Sequence, residues 1–264
     1  MLGFGAVRTV VATRYVTPLR EGGSLPAIVE GDDDGLYVAK FRGAGQGPRA
    51  LVAEQLGGEI ARAAGLRVPE MVHLEVDPAL GRNEPDYEIR QLLKASAGTN
   101  LGLDYLPGSA AFDPASGRGP DPELASDVVA VDAFLGNVDR TARNTNLLVW
   151  HRQVWLIDHG AALTFHHAWD LARDTARAPF PSVKDHVLLR WATALPAAAE
   201  RLRTRLGPDV LRRVVAELPD AWLGGEPFRD PAAHRAAYLA HLTGRLEAAT
   251  LWLEEAERAR AHLV

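Results

Sequence analysis

Apolar positions in the first hundred residues recur mostly at a period of two and are interrupted by glycine-containing turns. Residues 7–16 are rich in β-branched side chains, and residues 25–30 and 36–41 form two further apolar runs. The intervening turns contain Gly22-Gly23-Ser24 and Gly31-Asp32-Asp33-Asp34-Gly35, so this region predicts three antiparallel strands. From residue 49 to 64 the period becomes helical. Val52, Leu56, Ile60 and Ala63 share a stripe, and Gly65 with Val68-Pro69 supplies a stop. Residues 71–76 alternate as a fourth strand, and residues 87–93 fit strand or helix equally well. Residues 96–107 read as an extended segment ended by Pro107-Gly108.

The second half has a different pattern. A Gly/Pro/Asp-rich loop over 110–122 precedes a helix over 122–134 with Leu124, Val128, Val131 and Leu135 on one stripe. A polar loop from Asn137 follows, then two short apolar strands separated by a turn, the second ending at Ile157-Asp158-His159-Gly160. Beyond Pro181 the sequence predicts helices over 185–195 and 208–218. A long final helix opens at Asp230-Pro231, with Leu239, Leu242, Leu246, Ala249 and Leu253 as its apolar stripe.

Composition narrows the possibilities. With 264 residues and 47% hydrophobic content, the chain can bury a core as one large domain or two lobes. It has no cysteine, which excludes disulfides and thiolate chemistry. A net charge of -5 gives no global basic field, so no nucleic-acid partner is expected. The first residues lack a secretory pattern, and no apolar run approaches the ~18 residues of a membrane span. A cytoplasmic protein with no membrane partner is therefore expected.

The candidate chemistry lies around the polar loop. Asp139, Asn144 and Asp158 offer oxygen donors at the ends of two strands that a turn can place side by side, a set suited to a hard cation and its phosphate ligand. An acidic residue closing an apolar strand carries a desolvation cost that calls for a partner. Lys40 sits within the apolar run 36–41, ahead of a helix that carries Glu54 and Glu59, and periodicity leaves open which carboxylate faces it. Glu59 lies on the apolar stripe, whereas Glu54 lies among Gly57, Gly58 and Ala61, where another backbone has room to approach. Gly22-Gly23-Ser24 can bring backbone N–H groups close to phosphate oxygens. Asp104, Tyr105 and Leu106 belong to a segment whose backbone can meet an adenine edge. The adjacent His166 and His167 read as structural.

The run from Gly136 to Asn144, with Gly-Asn-x-Asp followed by Asn five residues after the Asp, resembles the catalytic loop of the HipA-like branch of the protein-kinase-like superfamily. Asn137-Val138-Asp139-Arg140 and Ile157-Asp158-His159-Gly160 are also similar to segments of the type II phosphatidylinositol 4-kinases. Glu54, followed by Ala61 to Pro69, resembles the HipA helix after the lysine strand and favours Glu54 as the partner of Lys40. The similarity spans residues 15–169. It implies an α+β, bilobal protein-kinase-like fold with an antiparallel-sheet N-lobe over 1–102, a hinge over 103–108 and a mainly helical C-lobe over 109–264.

The same resemblance implies ATP between the lobes, with Gly22, Gly23 and Ser24 over it and Lys40 on its phosphates. Asp139 would orient the hydroxyl, and Asn144 and Asp158 would hold Mg²⁺. The implied activity is ATP- and Mg²⁺-dependent phosphorylation of a protein serine or threonine, with Ser24 as a candidate self-acceptor. A catalytically idle nucleotide-binding scaffold and a lipid kinase are the alternatives. Oligomeric state is not legible.

Overall fold

In the computed structural model, residues 6–19, 25–45, 47–82, 84–170 and 174–263 are described. Gly22, Gly23 and Ser24 lie outside them. The first part of the chain forms a closed barrel from strands β1 (Thr9–Pro18), β2 (Ala27–Gly31), β3 (Leu36–Lys40), β4 (Met71–Val76) and β5 (Gly98–Asp104), in the order β1-β2-β3-β5-β4. Neighbours pair antiparallel except at the closure, where β1 runs parallel to β4. Val10, Val29, Tyr37, Phe41 and Leu74 fill its interior. Because side chains alternate across a strand, Tyr37 and Ala39 point into the barrel, while Val38 and Lys40 face the opposite way.

The run at 87–93 is helical: α2 (Tyr87–Ala95) is capped by Asp86, whose side chain accepts from the N–H groups of Glu88 and Ile89. Ile89 and Leu93, four residues apart, are its buried residues, and they complete the barrel core. Residues 98–104 form a barrel strand between β3 and β4, so the connection out of the barrel is shorter than the extended run suggested.

Helix α1 (Pro48–Ala63) is buried without interruption from Leu51 to Ala61, because it is wedged between the barrel and the helices that follow. Its glycines permit this. A Cβ on Gly57 would lie 2.6 Å from the His159 Cβ, and one on Gly58 would lie 2.6 Å from the Met71 Cε. The expected stripe is thus one part of a wholly enclosed surface.

The remainder is mainly helical, packed around α3 (Pro122–Leu135), which is buried from Ala125 to Leu135 except at Asp127 and ends at Gly136 with φ +64°. A small sheet of β6 (Ala110–Ala111), β7 (Leu147–Trp150) and β8 (Gln153–Leu156) lies on the barrel side of it. Around α3 come α4 (Leu195–Arg205), α6 (Pro231–Glu247) and α7 (Ala249–Ala261), while α5 (Pro208–Ala216) packs on α6 and α1. The architecture is the bilobal α+β one, and no helix among the described residues is long and apolar enough to cross a membrane.

Two helix expectations are corrected. Residues 185–195 are not a helix: 3₁₀ turns at Pro181–Asp185 and Leu189–Trp191 precede α4. Their backbone is committed elsewhere, since Val187 N–H donates to Arg140 O (3.0 Å) and Leu188 N–H to His186 Nδ1 (3.0 Å). The single long C-terminal helix is two helices joined at Ala248, and its buried side is Tyr238, Leu242, Arg245, Ala249, Trp252 and Ala256. Arg245 explains the changed phase. Its guanidinium caps the end of α3 by donating to Phe134 O (3.0 Å) and Ala133 O (2.8 Å), leaving Leu239, Leu246 and Leu253 half-buried.

Candidate active site

Two cavities meet between the barrel and the helical lobe, and both are lined by Lys40, Asn144 and Asp158. The smaller, about 270 Å³, has apolar walls from Val38, Leu103, Leu106, Leu148 and Ile157. The larger, about 380 Å³, adds Glu54 and Asp139 and runs beside α1.

The Asn137–Asn146 loop leaves α3 and is fixed from below. Asp132, fully buried in an otherwise apolar turn of α3, accepts from Asn137 Nδ2 (2.9 Å), Arg140 Nε (2.5 Å) and His186 Nε2 (2.9 Å). Burial alone would raise its pKa, but the Arg140 charge and then the His186 hydrogen bond hold the carboxyl well below the usual range. Arg140, itself buried, continues upward and donates to Asn146 O and to Ile157 O (3.3 Å). One guanidinium thus ties the loop after Asp139 to the strand end before Asp158.

Above this support, the Asp139 carboxylate accepts from Asn144 Nδ2 (2.7 Å) and Asn146 Nδ2 (3.3 Å), and Asn146 also reaches Asp158 O (3.4 Å). Asp158 and Asn146 both adopt left-handed backbone, with φ +52° and +48°. Such conformations cost a non-glycine residue roughly 1–3 kcal/mol, which the surrounding hydrogen bonds must hold in place. The side chain of Asp158 is thereby aimed at the cleft, where its Oδ1 accepts from Lys40 Nζ at 2.9 Å.

Lys40 therefore pairs with Asp158, not with a helix carboxylate. Of the two candidates, Glu54 is the one at the site. Burial pushes its carboxyl up to about 7, partly opposed by the Lys40 charge and by backbone N–H groups of His159 and Gly160. Burial would lower the Lys40 pKa, yet the charges of Glu54 and Asp158 outweigh it and raise the value. Asp158 is lowered because Lys40 overcomes its desolvation. Glu59 lies near Arg62 (3.7 Å), away from the cleft.

Asp104, Tyr105 and Leu106 line the smaller cavity, but the N–H groups of Asp104 and Tyr105 already donate to Glu70 O (2.8 Å) and Leu36 O (2.9 Å). Among the described residues the Leu106 N–H has no acceptor and remains as the segment's free donor. His166, buried, bonds Tyr238 through Nδ1 (2.9 Å), in keeping with its structural reading.

Sequence reasoning missed Asp132, Arg140, Asn146 and His186. An aspartate inside the apolar run Val128 to Leu135 was the available signal for Asp132; nothing in the sequence marked His186.

The donor set has the chemistry of a hard cation. Asn144 spends its Nδ2 on Asp139, which leaves its amide oxygen free, and Asp158 spends one carboxylate oxygen on Lys40, which leaves the other. Among the described residues no group of three or more His, Asp or Glu forms a protein-only metal cage. A cation here would draw its remaining ligands from phosphate and water, as Mg²⁺ commonly does.

The family described as HipA-like kinase matches residues 13–254 of the chain. No curated protein sequence matches it. Among solved structures, the Helicobacter pylori proinflammatory kinase CtkA superposes with a TM-score of 0.57 at 13% identity, covering 97% of this chain and 99% of that one. The Golgi casein kinase with Mn/ADP bound superposes with a TM-score of 0.52 at 11% identity, covering 96% of this chain and 73% of that one. At these identities the likeness speaks for the fold.

Proposed function

Because the chain belongs to the HipA-like kinase family, we propose that it transfers the γ-phosphoryl group of ATP, with Mg²⁺, to a serine or threonine hydroxyl of a polypeptide. The observation that carries this reading is the junction of the two cavities. There Lys40 Nζ meets Asp158 Oδ1 at 2.9 Å, and Asn144 Nδ2 meets Asp139 Oδ2 at 2.7 Å.

Residues 103–108 serve as hinge between an N-lobe over 1–102 and a C-lobe over 109–264. The adenine occupies the smaller, apolar cavity and accepts from the Leu106 N–H. Lys40 turns part of its ammonium from Asp158 to the phosphates, with Glu54 keeping it oriented through charge. The Asn144 amide oxygen and the free Asp158 carboxylate oxygen would hold Mg²⁺, which would supply positive charge to the phosphate oxygens. Asp139 accepts a hydrogen bond from the incoming hydroxyl and takes its proton. The hydroxyl oxygen forms a bond to Pγ, the bond from Pγ to the β–γ bridging oxygen breaks, and ADP leaves. The bound Mn/ADP of the Golgi casein kinase supports this use of nucleotide and divalent metal.

The test is transfer of labelled γ-phosphate from Mg-ATP to serine-containing peptides or to the chain itself, compared with Asp139→Asn. Incorporation by wild type and its loss in the variant support the reading; no incorporation by wild type, or equal incorporation by both, contradicts it.

A further inference from the structure

We infer that the larger cavity, beside α1, is the acceptor chamber, and that it admits a serine or threonine on an uncharged or basic polypeptide segment while excluding anionic acceptors. This rests on the phosphotransfer reading above and adds to it the route and charge of the acceptor.

The two cavities divide the chemistry between them. The smaller contains the hinge residues and lacks Asp139; the larger contains Asp139 and lacks the hinge. They touch at Lys40, Asn144 and Asp158, where a triphosphate would cross. A nucleotide anchored at the hinge therefore points its terminal phosphate into the larger chamber, and the hydroxyl that Asp139 orients must arrive through it.

The walls define what can arrive. On one side are Phe41 and Ala44 of the β3–α1 connection and Ala50 of α1; on the other are Val138, Thr164 and His167. Val138 and Thr164 are exposed, so the chamber opens to solvent along that edge. Its charged lining is Lys40 against Asp139 and Asp158, with buried Glu54 raised toward its neutral form, and Lys40 is already bonded to Asp158. Arg49, next along α1, donates to the main-chain carbonyl of His167 at 3.0 Å. An anionic headgroup or acidic segment would thus meet carboxylates with no uncommitted lining cation among the described residues, at a cost in like-charge repulsion. A neutral or basic segment meets no such barrier, and Ala44, Ala50 and Val138 give it apolar contact.

The experiment uses the full chain, Mg-ATP binding as one readout and γ-phosphate transfer as the other. The acceptor probes are three serine peptides of equal length with lysine, alanine or glutamate flanks, and vesicles containing phosphatidylinositol. Thr164→Trp fills the chamber from its exposed edge and Ala44→Trp from the facing wall, and Leu103→Trp fills the other cavity. The expected result is transfer to the basic and neutral peptides at least about tenfold above the acidic one and the vesicles. Thr164→Trp and Ala44→Trp should lower transfer about tenfold or more with Mg-ATP affinity nearly unchanged, whereas Leu103→Trp loses Mg-ATP binding.

Preference for the acidic peptide or the vesicles overturns the inference. So does an unchanged rate in both chamber variants, or loss of Mg-ATP affinity in them matching the loss of transfer. A wild type that binds Mg-ATP but phosphorylates none of the probes overturns the inference while leaving the nucleotide site standing. A wild type that binds no Mg-ATP overturns the functional reading itself.

Discussion

Arg140 and Asp132 form a fully buried ion pair, Nε to Oδ2 at 2.5 Å, directly beneath the loop that carries Asp139 and Asn144. Breaking such a pair from one side leaves a charge with neither partner nor water, at a cost of about 3–5 kcal/mol. Arg140→Met should lower unfolding free energy in urea by that order. Arg140→Lys should recover only part of it, because an ammonium cannot serve Asp132, Asn146 O and Ile157 O with the guanidinium's planar fork.

Gly57 abuts His159, with room for no Cβ between them. Gly57→Ala should cost about 1–3 kcal/mol by overpacking. Because the push falls on the residue after Asp158, it should also weaken Mg-ATP binding, measurable by calorimetry. Gly207→Ala, where nothing lies within contact distance of the added Cβ, is the control and should leave nucleotide affinity unchanged.

His166 is held neutral by burial, which pushes its imidazole down to about 3 from a usual 6.5. The unfolded chain therefore binds the proton first. The stability that His166 contributes is fully present above about pH 6.5 and is lost as pH falls toward the folded value, at about 1.4 kcal/mol per pH unit. His166→Asn should be less stable at neutral pH and show a shallower loss between about pH 6.5 and 4 in urea titrations.

Asp139→Asn keeps the amide and carboxamide geometry of the loop but removes the proton acceptor. Turnover should fall by about 10²–10⁴, while Mg-ATP affinity changes far less, since Asp139 is outside the proposed metal set. Single-turnover transfer and equilibrium nucleotide binding on the same preparation separate the two effects.

The first four barrel strands were legible because alternation marks the face each turns to the core, as at 36–40, where Lys40 lies opposite Tyr37 and Ala39; β5 read only as an extended connecting run, because Asn100 to Leu103 are buried consecutively and leave no alternation. Placement of Asp139, Asn144 and Asp158 at one cleft was also legible, from two short strands joined by a turn. What escaped was whatever depended on long-range partners. Residues 185–195 look helical until His186 is drawn inward to Asp132, and the C-terminal stripe shifts phase because buried Arg245 caps α3. Glu54 and Glu59 could not be separated by periodicity, since α1 is enclosed on every side and has no solvent face to define a stripe. The resemblance seen over residues 15–169 understated the family's extent, which reaches residue 254, because the C-terminal helices carry no motif of their own.

On the proposed reading, Mg-ATP binds where Lys40, Asn144 and Asp158 meet. Thermal denaturation with and without Mg-ATP, on wild type and Asp158→Asn, followed by intact mass on the same samples, tests it most directly. A ligand at about 100 times its Kd stabilises by about 2.7 kcal/mol, enough for a shift of several degrees. That shift is expected in wild type, with its near absence in Asp158→Asn and no shift with ATP when the divalent ion is chelated. Equal shifts in wild type and Asp158→Asn, or none in wild type across a wide nucleotide range, would contradict it.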